Sequence, residues 1–466
     1  MAEDKRQWSQ ADTIAMALVT AVAGVIRGIH LSMPADLFGD EIFYAREACI
    51  YVYQSRQICG IPLDAVSPHP PLGKLLISLG VRVLGWGPLG WRIAVMLAGT
   101  ASVPLLYLLA RRLLGSTRGA TLAAGLLAID FLHFVHSRMA MVDIFLPLFV
   151  VASFLFVVID RDHDNSTQAR GVLSRPWLLA AGLAAGAAIA TKWVGLGALA
   201  GVAVLSFIWI LLRPSSEGFY AKVQQGLRRQ WHALALALIV APSLVYILAY
   251  VPRIDGSLFA LPWVRGSWIR TFAREQREML NFHLYSGEIY WVGKTNIYVS
   301  PAWSWPLIKR PESLYWHERG DEHGRIIFMG NPLVWWTSLP ALMYLGLQVA
   351  RRRRNDAAVV ALAGVAVLYI PFLLVTGVRS APFLHDILPS VPFMCLALAT
   401  VAVGWKNPFS GWIVAGFAMA AVALFAFFYP ILTAVPLSRE GLQARQWFQD
   451  CEPSADIAAP AGWCWK

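Results

Sequence analysis

The sequence predicts an all-α, polytopic membrane protein folded as one domain over residues 1–466, and three observations carry that expectation. Of the 466 residues, 57% are hydrophobic and 14% charged, with a mean hydropathy of +0.54. A soluble chain carries about a quarter charged residues, so water could not solvate the surface that remains. Apolar runs of roughly 18 or more residues, the length that crosses a bilayer as a helix, recur along the chain. The cations behind the net charge of +11 fall in short clusters between those runs. That distribution sets membrane topology and does not make a nucleic-acid surface.

In chain order, the polar stretch Met1 to Gln10 leads into an apolar run at 11–31. This run is too long for a signal-peptide core and lacks a small-residue cleavage pattern, so it reads as a retained span. Further runs lie at 91–111, 119–136, 141–159, 176–194, 195–212, 232–252, 333–350, 357–376, 382–404 and 411–429, about eleven spans in all. Lys5 and Arg6 precede the first span, and Arg111, Arg112 and Arg118 follow the second. Arg161, Arg170 and Arg175 follow the fourth; Arg213, Lys222, Arg228 and Arg229 follow the sixth. Arg351 to Arg354 follow the eighth, and Lys406 the tenth. With eleven spans all of these share one side, which places the N-terminus in the cytoplasm and the C-terminus outside the cell membrane.

Three segments then lie outside. The first, 32–90, holds Asp40 and Glu41, an amphipathic stretch from Ile42 to Gln57, and an apolar piece, Leu75 to Trp86, too short to span and suited to the interface. The second, 253–332, is rich in Trp, Tyr, Arg and His, and the third is the tail 430–466. Cys49 and Cys59 share the first segment, Cys451 and Cys464 the tail. Both pairs are on the oxidising side, where local disulfides or buried thiols are the two alternatives. Cys395 falls within a span and reads as packing. Asn165-Ser166-Thr167 matches a glycosylation acceptor but falls on the inner side. No phosphate-binding glycine loop, metal-ligand spacing or serine-nucleophile elbow is present.

The residues able to carry chemistry gather at the outer ends of spans. Asp40 can take a proton from an attacking hydroxyl, or cap the helix that begins at Glu41. Arg92, Arg138, Lys192 and Arg379 lie at the same level, with Asp143 near Arg138 as a structural partner. These cations outnumber the nearby acids. A phosphate at the membrane edge would satisfy the excess, whereas any one of them alone could reach lipid headgroups. His69 in the rigid His69-Pro70-Pro71 turn, Lys74, His283 and His385 are further substrate-site candidates, each with a structural alternative. Trp303, Trp305, Trp316, Trp335 and Trp336 fit an interfacial aromatic belt.

These residues, in their order and their place against the topology, resemble the protein O-mannosyltransferase family, in particular its bacterial (actinobacterial-type) branch. The resemblance covers nearly the whole chain. It rests on Asp40-Glu41 after the first span, His69-Pro70-Pro71-Leu72-Gly73-Lys74, Arg92 entering the second span, and Ser137-Arg138 with Asp143. It continues through Lys192-Trp193-Val194-Gly195, Ser300-Pro301-Ala302-Trp303-Ser304-Trp305-Pro306-Leu307, Gly330-Asn331-Pro332 and Arg445-Gln446-Trp447-Phe448. It implies a GT-C glycosyltransferase that moves mannose, with inversion, from polyprenyl-phosphate-mannose to Ser or Thr of secreted or membrane proteins. Asp40 and Glu41 would match the family's acidic pair, and Arg92 its early arginine. The outer segment of about eighty residues is too short for the β-trefoil insertion of fungal and animal members, and His385-Asp386 stands where aromatic residues are expected. Expected partners are the lipid-linked donor, a protein acceptor with Ser/Thr-rich segments, membrane lipid and the protein-translocation machinery. A divalent cation is the one cofactor candidate, not obligatory if the cations suffice, and no metal-ligand set is recognised. A GT-C transferase acting on a lipid or glycan acceptor is the alternative, and a transporter a more distant one.

Overall fold

The computed structural model describes residues 7–60, 69–167, 175–212, 218–255, 268–290, 300–353, 355–374, 382–448 and 462–465. Its first helices are α1 (Gln10–Gly28), α2 (Glu41–Tyr53), α3 (Arg56–Cys59), α4 (Leu72–Leu84), α5 (Pro88–Leu114), α6 (Thr117–Ala128) and α7 (Phe131–His136). Next come α8 (Phe145–Thr167), α9 (Pro176–Thr191), α10 (Leu196–Leu212), α11 (Phe219–Ala235), α12 (Ala241–Asp255) and α13 (Trp268–Tyr290). A hairpin of β1 (Glu312–Arg319) and β2 (Glu322–Phe328) precedes α14 (Pro332–Ala350), α15 (Asp356–Leu374), α16 (Val391–Gly404), α17 (Ser410–Thr433) and α18 (Arg439–Gln443).

Among the described residues, nine helical stretches are long and apolar enough to cross a membrane. Two expected spans take a different form. The run at 176–194 yields α9, a shorter apolar helix, and the run at 119–136 breaks at Asp130. There the backbone turns extended, and the Asp130 carboxylate accepts the His133 N–H at 3.0 Å as N-cap of α7. Its second oxygen accepts the Trp335 indole N–H at 2.7 Å. A carboxylate buried at membrane depth needs such partners, and meeting them interrupts the helix.

The first span is pinned in the same way. Ser9 and Asp12 form a capping box at the start of α1. The other Asp12 oxygen accepts from Arg111 Nε at 2.7 Å, Thr117 Oγ1 at 2.7 Å and Tyr107 OH at 3.2 Å. Asp12 and Arg111 therefore mark one end of the bundle. Asp40, Arg92 and Asp143, at the opposite ends of α1, α5 and α8, mark the other. The stretches carrying α8 and α16 are the most buried, while α1 and α17 lie at the periphery. On α9 the small pair Gly182 and Gly186, spaced as in membrane helix dimers, lets α12 approach closely. A Cβ on Gly186 would lie 2.6 Å from Pro242 Cα, and one on Gly182 closer still to the Ala237 carbonyl.

The segment 253–332 contains α13 and the hairpin. In the hairpin Glu312 pairs with Phe328 and Arg319 with Glu322, and Gly320 takes φ +63° in the turn. Its inner half is buried and its outer half exposed. His323 bridges to Leu437, and the Trp465 indole donates to the Ile308 carbonyl at 2.8 Å, so the tail packs on the same end. The aromatic belt is only partly realised. Trp303 and Trp316 are exposed, but Trp305 and Trp335 are fully buried, with their N–H groups spent on Ser300 and Asp130. Helix α4 does lie as an amphipathic element, with Ile77 and Val81 inward and Leu79 and Val83 outward. Cys49 and Cys59 form a disulfide across α2 and α3, with Cα atoms 5.7 Å apart. Cys395 is a buried free thiol, and Cys451 lies outside the described residues.

Replacing Gly186 with Leu should separate α9 from α12 and lower the thermal midpoint by an overpacking cost of about 1–3 kcal/mol or more. Gly346→Leu, where a Cβ meets nothing within 4 Å, should leave it unchanged in the same size-exclusion melt.

Candidate active site

The loop from α1 to α2 has few side chains able to hold it, and two arginines from elsewhere supply the missing donors. Arg138 turns back on the C-terminal carbonyls of α1, donating Nη1 to Arg27 O at 2.6 Å and Ile29 O at 2.7 Å, and Nη2 to His30 O at 3.0 Å. Carbonyls at and just beyond a helix C-terminus lack partners within the helix; that of His30 also accepts the Met33 N–H at 3.0 Å. Arg92 takes the next stretch. Its Nη1 donates to Leu31 O at 3.2 Å and Pro34 O at 2.6 Å, and its Nη2 to Asp36 O at 3.3 Å. Nε and Nη2 each reach Glu41 at 2.8 Å as a two-pronged pair. Glu41 Oε1 also accepts the Ala140 N–H at 2.7 Å.

This geometry bears on three expectations. All five N–H groups of Arg92 are engaged inside the protein, and Arg138 spends Nη1 and one Nη2 bond on carbonyls at the end of α1 and just beyond it. Glu41, expected beside Asp40 as one of the catalytic pair, is fully buried and closed on Arg92 and the Ala140 N–H. Arg379 lies outside the described residues.

Asp40 is held by these contacts without sharing in them. Gly39, at φ +53°, swings the chain between Phe38 and Asp40. Asp40 occupies the N-cap position of α2, yet its side chain makes no capping bond, and among the described residues no hydrogen bond to its carboxylate is found. The carboxylate is half-buried. Burial pushes its pKa above the usual carboxylate range; His385 and Lys192 oppose the shift, while Asp143 and Glu312 add to it.

Those four neighbours form the rest of the centre. Lys192, released from α9 in extended backbone, places Nζ 2.8 Å from Asp143 and 3.2 Å from Asp386. Asp143 therefore pairs with Lys192 and not with Arg138. Among the described residues its second oxygen is buried without a hydrogen-bond partner, as is Nε2 of His136. His385 donates Nδ1 to Glu312 at 2.8 Å, and the His385 backbone N–H binds the same carboxylate at 3.0 Å. Among the described residues the acids Asp143, Asp386 and Glu312 around Asp40 outnumber Lys192 and His385, where a cation excess was expected.

A wall of rings borders this centre. His69 packs between Tyr44 and His283, with centroids 5.9 and 5.3 Å away, and His283 packs on Trp193 at 5.7 Å. The expected turn at His69 is fixed by Lys74, whose Nζ donates to His69 O at 2.7 Å and pairs with Glu47 at 3.1 Å. Lys74 is fully buried and serves that turn. Beyond Trp193, whose indole donates to Tyr246 OH at 2.9 Å, an apolar cavity of about 500 Å³ opens between α9, α10, α12 and α13. Among the described residues, no group of three or more His, Cys, Asp or Glu side chains is set to hold a metal ion. Sequence reasoning passed over Glu312 and His136. Neither has a local signal, since a hairpin strand and a broken helix bring them to the centre.

Residues 17–255 match the family model described as dolichyl-phosphate-mannose-protein mannosyltransferase, and residues 268–451 match the C-terminal four-transmembrane region of protein-O-mannosyltransferase. Polyprenol-phosphate-mannose–protein mannosyltransferase of Mycobacterium tuberculosis is 28% identical, over 93% of this chain and 91% of the relative. That of Corynebacterium glutamicum is 27% identical, over 85% and 84%. A Saccharomyces cerevisiae protein O-mannosyltransferase complex bound to the sugar donor superposes with a TM-score of 0.77 at 15% identity, covering 99% of this chain and 96% of that one. ArnT from Cupriavidus metallidurans superposes at 0.56 with 22% identity, over 90% and 65%. The fold is that of the GT-C glycosyltransferases.

Arg92→Ala would leave Glu41 buried and unpaired, a loss of about 3–5 kcal/mol. A thermal melt of the purified protein should show a large drop in midpoint. An unchanged midpoint with weakened donor binding would place Arg92 on the phosphate after all.

Proposed function

The chain belongs to the protein O-mannosyltransferase family, and we propose that it transfers mannose from polyprenyl-phosphate-mannose to Ser or Thr hydroxyls of secreted or membrane proteins, with Asp40 as general base. The observation that carries this reading is the Asp40 carboxylate, free of hydrogen bonds among the described residues and held in place by the neighbouring pair Glu41–Arg92. The acceptor O–H would donate to Asp40 while its oxygen attacks the anomeric carbon. The bond from that carbon to the phosphate oxygen breaks, its electron pair leaves with polyprenyl phosphate, and the proton stays on Asp40. A single displacement of this kind inverts the anomeric centre.

The departing phosphate needs positive charge and shelter from water. Lys192 and His385 are the described cations nearest Asp40 in electrostatic effect, and we assign the phosphate to them in place of Arg92 and Arg138. The ammonium of Lys192 lies between two carboxylates, which would hold it in place under the phosphate. The apolar cavity beyond Trp193 suits the lipid part of the donor. His69 and His283, stacked at the border, would face the sugar or the acceptor.

The membrane orientation belongs to the same proposal. Arg111, Arg112, Arg118, Arg351 and Lys406 all lie at or just beyond helix ends opposite Asp40, which supports a cytoplasmic N-terminus and a site, hairpin and tail (32–90, 253–332 and 430–466) on the outer face of the cell membrane. A protein acceptor is favoured over a lipid or glycan because the relatives matched over nearly their whole length carry protein mannosyltransferase names. An outer-face site would receive such acceptors as they leave the protein-translocation machinery.

The test is transfer from polyprenyl-phosphate-mannose to a Ser/Thr-rich peptide in membranes. Asp40→Asn should lower the rate by about 10²–10⁴-fold, the share of a general base, while donor binding persists. Equal transfer by Asp40→Asn and wild type would remove the assignment. Other carrier-linked sugars and a lipid acceptor in the same assay separate the rival transferase.

The pH dependence has a defined sign. Because the folded-state pKa of Asp40 is raised, the acid limb of kcat/KM should lie above the ordinary carboxylate range, with activity falling as pH drops through it. The same shift means that Asp40 stabilises the fold only while protonated and that this contribution fades as pH rises. Asp40→Asn should therefore raise the thermal midpoint at neutral pH while it removes activity.

A further inference from the structure

A second groove lies at the end of the bundle away from Asp40. It consists of two adjoining cavities of about 340 and 580 Å³ that share Leu122, Ala402, Trp405 and Val414 as walls. The smaller runs between α14, α16 and α17 and is apolar, reaching down to Leu398 and Phe417. The larger opens at the helix ends, where Arg118, Ser116, Ser410, Trp405 and Trp412 line it. No Asp or Glu lines either cavity.

Three features decide what would fill it. Helix α17 is among the least buried of the candidate spans, so the groove opens toward the hydrocarbon region, where an apolar trough takes an acyl chain. The mouth lies level with Arg118, Lys406 and the exposed rings of Trp405 and Trp412, the depth at which tryptophan meets headgroups. Its charge is positive without a lining acid, and basic pockets between membrane helices on the cytoplasmic side take anionic headgroups. We propose that this groove is a binding site for an anionic phospholipid, its phosphate on Arg118 with the Ser116 and Ser410 hydroxyls and one acyl chain between α16 and α17. The site is separate from donor and acceptor. It would buttress α16, the helix that continues from His385 and Asp386 at the other end.

The test uses the purified full chain in a neutral detergent, titrated with phosphatidylglycerol or phosphatidylethanolamine and read by native mass spectrometry and thermal midpoint. Wild type should retain phosphatidylglycerol in preference and gain midpoint with it. Arg118→Ala should weaken that binding about fivefold, the worth of one basic side chain near a headgroup. Gly411→Phe fills the open mouth, where a Cβ meets nothing within 4 Å, and should block binding without lowering the lipid-free midpoint. Arg228→Ala, an exposed cation elsewhere, should change nothing. Equal retention of the two lipids, or equal behaviour of Arg118→Ala and Arg228→Ala, would overturn the proposal. So would a groove variant that alters the monomer–dimer mass and leaves lipid binding intact, because the groove would then hold a second copy of the chain.

Discussion

A guanidinium buried at the edge of a membrane, with every N–H engaged, organises the working end of this protein. Arg92 binds three loop carbonyls and both oxygens of Glu41, and Arg138 binds the carbonyls just before them. The link between α1 and α2 is thereby fixed by cations that α5 and the turn after α7 contribute. Burying a charge is unfavourable unless paired and hydrogen-bonded, and here the pairing is complete. What it yields is a rigid backbone under Asp40.

Two adjacent carboxylates consequently have opposite environments. Glu41 points inward and is saturated; Asp40 points into the centre, where acids outnumber cations and burial penalises its charge. A carboxylate whose proton affinity is raised is a better base near neutral pH than an ordinary one. The same residues explain why Lys192 and His385 are held as they are. The lysine is tied to two carboxylates, Asp143 and Asp386, and the histidine to one, Glu312, so their charge is fixed in place.

Much of this was legible in the chain. Hydropathy located most of the spans and the amphipathic α4, because lipid allows few backbone solutions. The step Asp40-Glu41 stood out in the sequence because two carboxylates beside a span are costly. The partition of roles between them was not, since it depends on Arg92 reaching back across 51 residues of sequence. The cation count misled for a related reason: Arg92 and Arg138 spend their charge on backbone carbonyls, which no side-chain tally includes. Asp130 hid a helix break inside an apolar run. Trp335 passed for an interfacial ring until its indole N–H met that buried acid. Glu312 comes from a strand whose hairpin folds onto the centre, a long-range event with no local pattern.

The central claim, that Asp40 alone of the pair meets the substrate, is tested most directly by distance. A structure of the wild-type chain with an unreactive lipid-phosphate-mannose analogue and a serine peptide should place the serine Oγ within about 2.6–3.2 Å of an Asp40 oxygen, the reach of a general base. In it, Glu41 should still be closed on Arg92. A serine Oγ seated on Glu41, or Arg92 swung onto the phosphate with Glu41 released, would contradict the account.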